Sequence, residues 1–175
     1  METTFTKAQR IRLAVFDVDG VLTNGRLTYG EGGVEYKTFH AHDSLGLQLL
    51  QKTGVAVGII ATHPSDIITR RMSELGITHV YQGYADKITA YEELKQKLNL
   101  KDDQISYTGD DLTDLPLILR AGLGITVANA RQIVQEHANW ITKNKGGNGA
   151  VREICETIMQ AQSTYDAAIS PYLGS

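Results

Sequence analysis

Two periods of apolar residues alternate along the chain. Ile11-Arg12-Leu13-Ala14-Val15 is short, β-branched and apolar, which predicts a buried strand. Further strands are expected at Val55 to Ile60, Thr78 to Tyr81, Gln104 to Thr108 and Leu123 to Val127, with a last short one at Trp140-Ile141-Thr142. Between them the spacing turns helical. Asp43 is placed to cap a helix that carries Leu45, Leu49 and Leu50 inward and stops at Gly54. Ser65 or Asp66 starts a helix with Ile68, Met72 and Leu75, and Asp86 caps one with Ile88, Tyr91, Leu94 and Leu98. Thr113 to Ala121 reads as a short helix with Pro116 in its first turn, and Asn129 as the cap of another. A final helix carries Val151, Ile154, Cys155 and Ile158, and the tail from about residue 161 to 175 is expected to order only weakly alone.

One stretch breaks this alternation. Residues 24–39 hold two alternating runs, Arg26 to Tyr29 and Val34 to Lys37, around Gly30-Glu31-Gly32-Gly33, so a β-hairpin projecting from the core is expected. The rest predicts one α/β domain over residues 1–175, a doubly wound, Rossmann-like parallel sheet. Thr23 to Val55 has room only for the hairpin and a helix, and Thr62 to Lys87 only for a helix and a short strand, so no lid domain is expected. Water exclusion then falls to a neighbouring subunit, with the hairpin docked across the interface.

Composition removes several function classes. Net charge is 17 − 20 = −3, which gives no basic field for nucleic acid or anionic lipid. The longest apolar run, Val55 to Ala61, is far short of a membrane span, and METTFTKAQR carries no apolar signal region. The single cysteine, Cys155, makes no internal disulfide, so the cytoplasm is the expected compartment.

The chemistry gathers at strand ends, where ligands bind in such sheets. Asp17 and Asp19 follow the first strand, at positions i and i+2 that point the same way, and Gly20 turns the chain at once. Two like charges so close call for a cation or a proton between them. Asp17 is the candidate nucleophile toward phosphorus and Asp19 the candidate acid/base; an Asx turn is the plainer use of such residues. Asp110, Asp111 and Asp114 follow the fourth strand, which points to a hard-cation site completed by Asp110, with Asp111 or Asp114 as ligand or support. An acidic helix start accounts for part of Asp114. Lys87 is either a solvated lysine or the ammonium that holds phosphate beside Asp17.

Asp17-Val18-Asp19-Gly20-Val21-Leu22-Thr23, then Gly109 to Asp114, with Lys87 between, resembles the haloacid dehalogenase superfamily of aspartate-nucleophile phosphatases. The hairpin and Gly146 to Cys155 narrow the resemblance to the subfamily of 3-deoxy-D-manno-octulosonate 8-phosphate phosphatases, which serves lipopolysaccharide synthesis. The resemblance implies an Asp17 nucleophile, Asp19 as acid/base, Lys87 on phosphate, and Mg²⁺ held by Asp17, Asp19 through its carbonyl, and Asp110. It also implies a homotetramer acting on a sugar phosphate. The superfamily's phosphate-binding Ser or Thr falls at Ala61, so Thr62, one residue on, is the candidate for that contact. His42 stands where the subfamily has Arg, Thr62-His63 replaces Gly-Arg, and Asn148 replaces Arg. Arg152 is a candidate fork for the sugar carboxylate. His40, His42 and His63 read as local residues rather than transition-metal ligands, and Cys155 as a small core residue. Two alternatives stand beside this reading: a phosphatase for a nine-carbon sialic-type sugar phosphate, and a catalytically weakened binding module.

Overall fold

The computed structural model describes residues 2–174. Its main sheet has six parallel strands in the order β5-β4-β1-β6-β7-β8: β1 is Leu13–Phe16, β4 Ala56–Ala61, β5 His79–Gln82, β6 Ile105–Gly109, β7 Leu123–Thr126 and β8 Trp140–Ile141. All four residues of β1 are buried, because it is the central strand, paired with β4 on one side and β6 on the other. The chain runs outward from β1 to β4 and β5, then returns to β6 and continues the other way. Strand order therefore switches between β1 and β6, the place where a crevice opens beyond the strand ends.

Alternation along β1 feeds two cores. Ala14 and Phe16 face a layer containing Leu47 and Leu50 of α2 (Ala41–Lys52) and Ile154 and Ile158 of α7 (Ala150–Ala161). Leu13 and Val15 face Tyr91 and Leu94 of α4 (Lys87–Lys97) and Leu117 of α5 (Leu115–Arg120). Helices α3 (Asp66–Glu74) and α6 (Gln132–His137) complete the layers. The doubly wound α/β sheet expected from the periodicity is the one observed, and no lid interrupts it. A hairpin and a helix lie between β1 and β4, and one helix and one strand between β4 and Lys87.

Several local expectations need correction. The hairpin pairs only β2 (Thr28–Tyr29) with β3 (Glu35–Tyr36), over two residue pairs. Its base does not simply project, for Lys37 folds back over the strand ends. Helix α2 begins before Asp43: His40 is its cap, with Nδ1 accepting the His42 N–H at 3.2 Å. Asp43 sits buried in the first turn and accepts from the backbone N–H of Arg152 at 2.8 Å. Asn129 caps no helix, since α6 starts at Gln132; its Oδ1 accepts the Gly146 N–H at 2.8 Å instead. Ser65 is the N-cap residue of α3 without a capping bond, its hydroxyl being engaged by Glu35. Residues Leu112–Asp114 form a tight 3₁₀ turn before α5. The tail is ordered by packing: α8 (Tyr165–Ile169) sets Tyr165 and Ala168 against the core. A helix with no periodic signal, α1 (Thr4–Ala8), precedes the sheet and buries Ala8.

Candidate active site

The loop after β1 is shaped by its own sequence. The Val18 carbonyl accepts from the N–H groups of Val21, Leu22 and Thr23, and the Thr23 hydroxyl accepts from Gly20 and Gly25. Gly20 has φ +96°, and any Cβ there would overlap the Asp110 carboxylate. Gly146 likewise lies against the Gly20 carbonyl with no space for a side chain, so the glycine-rich turn before α7 packs directly on this loop.

Asp17 is held at the end of β1 by its N–H, which donates to the Thr108 carbonyl at 2.9 Å. Lys87, on the first turn of α4 and 4% exposed, donates to Asp17 Oδ1 at 2.9 Å and to Asp114 Oδ1 at 2.7 Å. Asp114 is fully saturated. Its Oδ1 also accepts the buried Tyr107 hydroxyl at 2.6 Å, and its Oδ2 accepts the N–H groups of Asp110 at 2.9 Å and Asp111 at 3.2 Å. It therefore acts as the brace of the β6 turn. Tyr107 was not singled out from sequence; its place two residues from Gly109 on an inward-facing strand was the available signal. Asp111 is exposed, and its carboxylate accepts the Leu112 N–H.

Carboxylate oxygens of Asp17, Asp110 and Asp114 lie within 4.8 Å of one another. Burial, then the Asp114 charge, pushes Asp17 up to about 7 even though Lys87 opposes the shift. Burial, then Asp114 and Asp111, pushes Asp110 up to about 7 as well. Burial works against the Lys87 charge, but Asp17 and Asp114 more than offset it and hold the ammonium charged. With Asp114 saturated, Asp17 and Asp110 are the acids left facing one another. A hard divalent cation fits this donor set, since two crowded carboxylates with raised pKa values are relieved by positive charge between them.

Asp19 is half-buried beside them, and a residue read from sequence only as part of the hairpin meets it: Lys37 Nζ lies 2.6 Å from Asp19 Oδ1. Strand alternation puts Glu35 and Lys37 on one face of the hairpin, and Lys37 also pairs with Glu35 at 3.0 Å. Ala61 is buried and ends β4, and Thr62 follows half-buried in the loop. Neither Thr62 nor Arg152 hydrogen-bonds to this cluster among the described residues. Arg152 pairs through Nε with Glu156 at 2.6 Å and lines a separate open cleft of about 850 Å³ with His40, His42 and Asn148. That cleft does not include Asp17, Asp110 or Lys87.

The model of the haloacid dehalogenase-like hydrolase family matches residues 51–154, which include Lys87 and Asp110. The chain belongs to this family. Within the haloacid dehalogenase-like hydrolases, it is 40% identical to the 3-deoxy-D-manno-octulosonate 8-phosphate phosphatase of Yersinia pestis over 93% of this chain and 87% of that protein. A crystal structure of the Moraxella catarrhalis 3-deoxy-D-manno-octulosonate 8-phosphate phosphatase, in complex with magnesium ion, phosphate ion and KDO, is 43% identical with a TM-score of 0.94, covering 97% of each chain. A probable YrbI family phosphatase of Pseudomonas syringae is 48% identical with a TM-score of 0.95, again covering 97% of each chain. Both levels of the resemblance read from the motifs are thus borne out.

Proposed function

We propose that this chain is a Mg²⁺-dependent phosphatase that converts 3-deoxy-D-manno-octulosonate 8-phosphate to the free sugar acid and phosphate, within lipopolysaccharide biosynthesis. The observation that carries the reading is the Lys87 ammonium shared between Asp17 and Asp114, with Asp110 across from Asp17. The named activity of the similar phosphatases supplies the substrate.

In this reading an Asp17 carboxylate oxygen bonds to phosphorus while the bond from phosphorus to the sugar oxygen breaks. Asp19 gives that oxygen its proton. Water then adds to the aspartyl-phosphate, Asp19 takes the water's proton, and the bond from Asp17 to phosphorus breaks to release phosphate. Lys87 neutralises charge on the transferring group and keeps Asp17 aimed at it. Asp17, the Asp19 carbonyl and Asp110 would hold Mg²⁺, which would supply positive charge to offset that of the phosphate. Asp114 and Asp111 support the Asp110 turn. Thr62 contributes to phosphate binding and Arg152 to the sugar carboxylate, the latter from the cleft it lines.

The protein is further read as a cytoplasmic homo-oligomer, a tetramer. Leu27, Tyr29, Val34 and Tyr36 leave 61%, 67%, 49% and 57% of their surfaces exposed on one short hairpin, which supports docking on another copy. No helix among the described residues is long and apolar enough to cross a membrane, and the buried, unpaired Cys155 suits a reducing compartment.

A panel of sugar phosphates assayed with Mg²⁺ tests the proposal. The highest kcat/KM is expected for the eight-carbon acid, and EDTA should abolish turnover. Turnover that survives EDTA, or no turnover on any sugar phosphate, would overturn it.

A further inference from the structure

The hairpin is exposed along almost its whole length, yet the side chain of its single lysine is not. Tyr36 is 57% exposed, whereas the next side chain, Lys37, is 3% exposed. Lysine is almost never buried without a partner. Here the partners are Asp19 at 2.6 Å and Glu35 at 3.0 Å. Glu35 continues the chain of contacts, for its Oε2 accepts the Ser65 hydroxyl at 3.1 Å, and the Ser65 N–H donates to Gln82 Oε1 at 2.8 Å. The base of the hairpin is therefore strapped to the loop after β1 at one end and to the loop after β4 at the other. These loops carry Asp19 and Thr62.

The strap bears on a geometric demand of the chemistry. Asp19 must serve two oxygens in turn, that of the leaving sugar and that of the attacking water. A carboxylate on a short side chain meets both only if its rotation is held. Lys37 engages Oδ1 and leaves Oδ2 to the reacting atoms. Loss of that contact frees the carboxylate, and a displacement of about 1 Å at a reacting group costs on the order of a hundredfold in rate.

We propose that Lys37 is a positioning residue for Asp19, and that Glu35 and Ser65 tie its position to the loop that carries Thr62. This rests on the reading of Asp19 as the acid/base group, and it adds to that reading a residue outside the motifs. It also gives the hairpin a part in the chemistry of its own subunit, besides any docking to a neighbour.

The test uses the full Mg²⁺-loaded protein with 3-deoxy-D-manno-octulosonate 8-phosphate as substrate. Lys37→Met should lower kcat about tenfold to a hundredfold while KM stays within about threefold. Its mass by light scattering should match that of the unsubstituted protein. Glu35→Gln should lower kcat less. In an Asp19→Asn background, Lys37→Met should cause no further loss, because the two residues act through one carboxylate. A mere scaffold role for Lys37 predicts losses that multiply. If Asp19→Asn lowers kcat to a small but measurable residual rate and Lys37→Met stays within about twofold of the unsubstituted protein, the lysine assignment alone is overturned. If Asp19→Asn turns over at the rate of the unsubstituted protein, the acid/base reading fails and the lysine assignment falls with it. A Lys37→Met protein whose mass drops together with kcat would also overturn the positioning role, in favour of hairpin docking.

Discussion

Lys87 and Asp17, seventy residues apart in sequence, meet at 2.9 Å with both side chains almost wholly removed from water. The same ammonium reaches Asp114 at 2.7 Å, so one positive charge serves two buried carboxylates. Removing one partner of such a group leaves uncompensated charge in the interior, which costs about 3–5 kcal/mol. Lys87→Met should therefore lose both phosphatase activity and stability, with a fall of that size in urea-derived unfolding free energy. A fully stable Lys87→Met protein would contradict the buried network.

Asp17→Asn separates chemistry from fold. The amide is nearly isosteric but cannot act as the nucleophile, so phosphate release from the sugar phosphate should disappear. The fold should persist, because the substitution removes a buried charge that burial and Asp114 already disfavour. Circular dichroism and melting temperature check the fold, and measurable turnover by the variant would exclude Asp17 as nucleophile.

The two raised carboxylates set a pH dependence for the metal-free protein. Asp17 and Asp110 rise from 3.8 to about 7 on folding, so between those values the folded chain binds more protons than the unfolded one. The slope of stability with pH follows the unfolded-minus-folded proton count and is negative in that window. Melting temperature without metal should thus fall as pH rises from 4 toward 7. Mg²⁺ competes with those protons, so the stabilisation it gives should be larger at pH 8 than at pH 6. A metal-free melting temperature that rises steadily across the window would contradict the crowding of these two acids.

The exposed face of the hairpin predicts assembly. Tyr29→Asp combined with Tyr36→Asp places charge on two side chains that are 67% and 57% exposed in the single chain. If they dock on another copy, the variant should lose mass by light scattering while its far-ultraviolet spectrum stays unchanged. An unsubstituted protein that is monomeric at micromolar concentration would contradict the proposed oligomer.

Strands, most helices and the acidic strand ends were legible in the sequence because their signals are local. A short run of apolar and β-branched residues suffices to mark β1, β4 and β6. A carboxylate placed just after such a strand lands at the sheet edge whatever the rest of the chain does. Asp17, Asp110 and Lys87 are cases of this kind: each sits at the end of a strand or the start of a helix that periodicity had already located.

The remaining contacts depend on distances through space that local pattern does not encode. Asp43 looks like a helix cap, yet it lies within the first turn of α2 and caps α7 instead, more than a hundred residues away, because those two helices pack closely. Asn129 binds Gly146 rather than its own helix for a similar reason. Asp114 reads as an acid at a helix start, and only the approach of Tyr107 and Lys87 makes it the brace of the site. Lys37 shows the limit most clearly. Alternation placed it beside Glu35, but the turn of the hairpin base over β1 brought it to Asp19. Backbone periodicity sets which way a side chain points from its own element; the packing angles between elements set what it meets there.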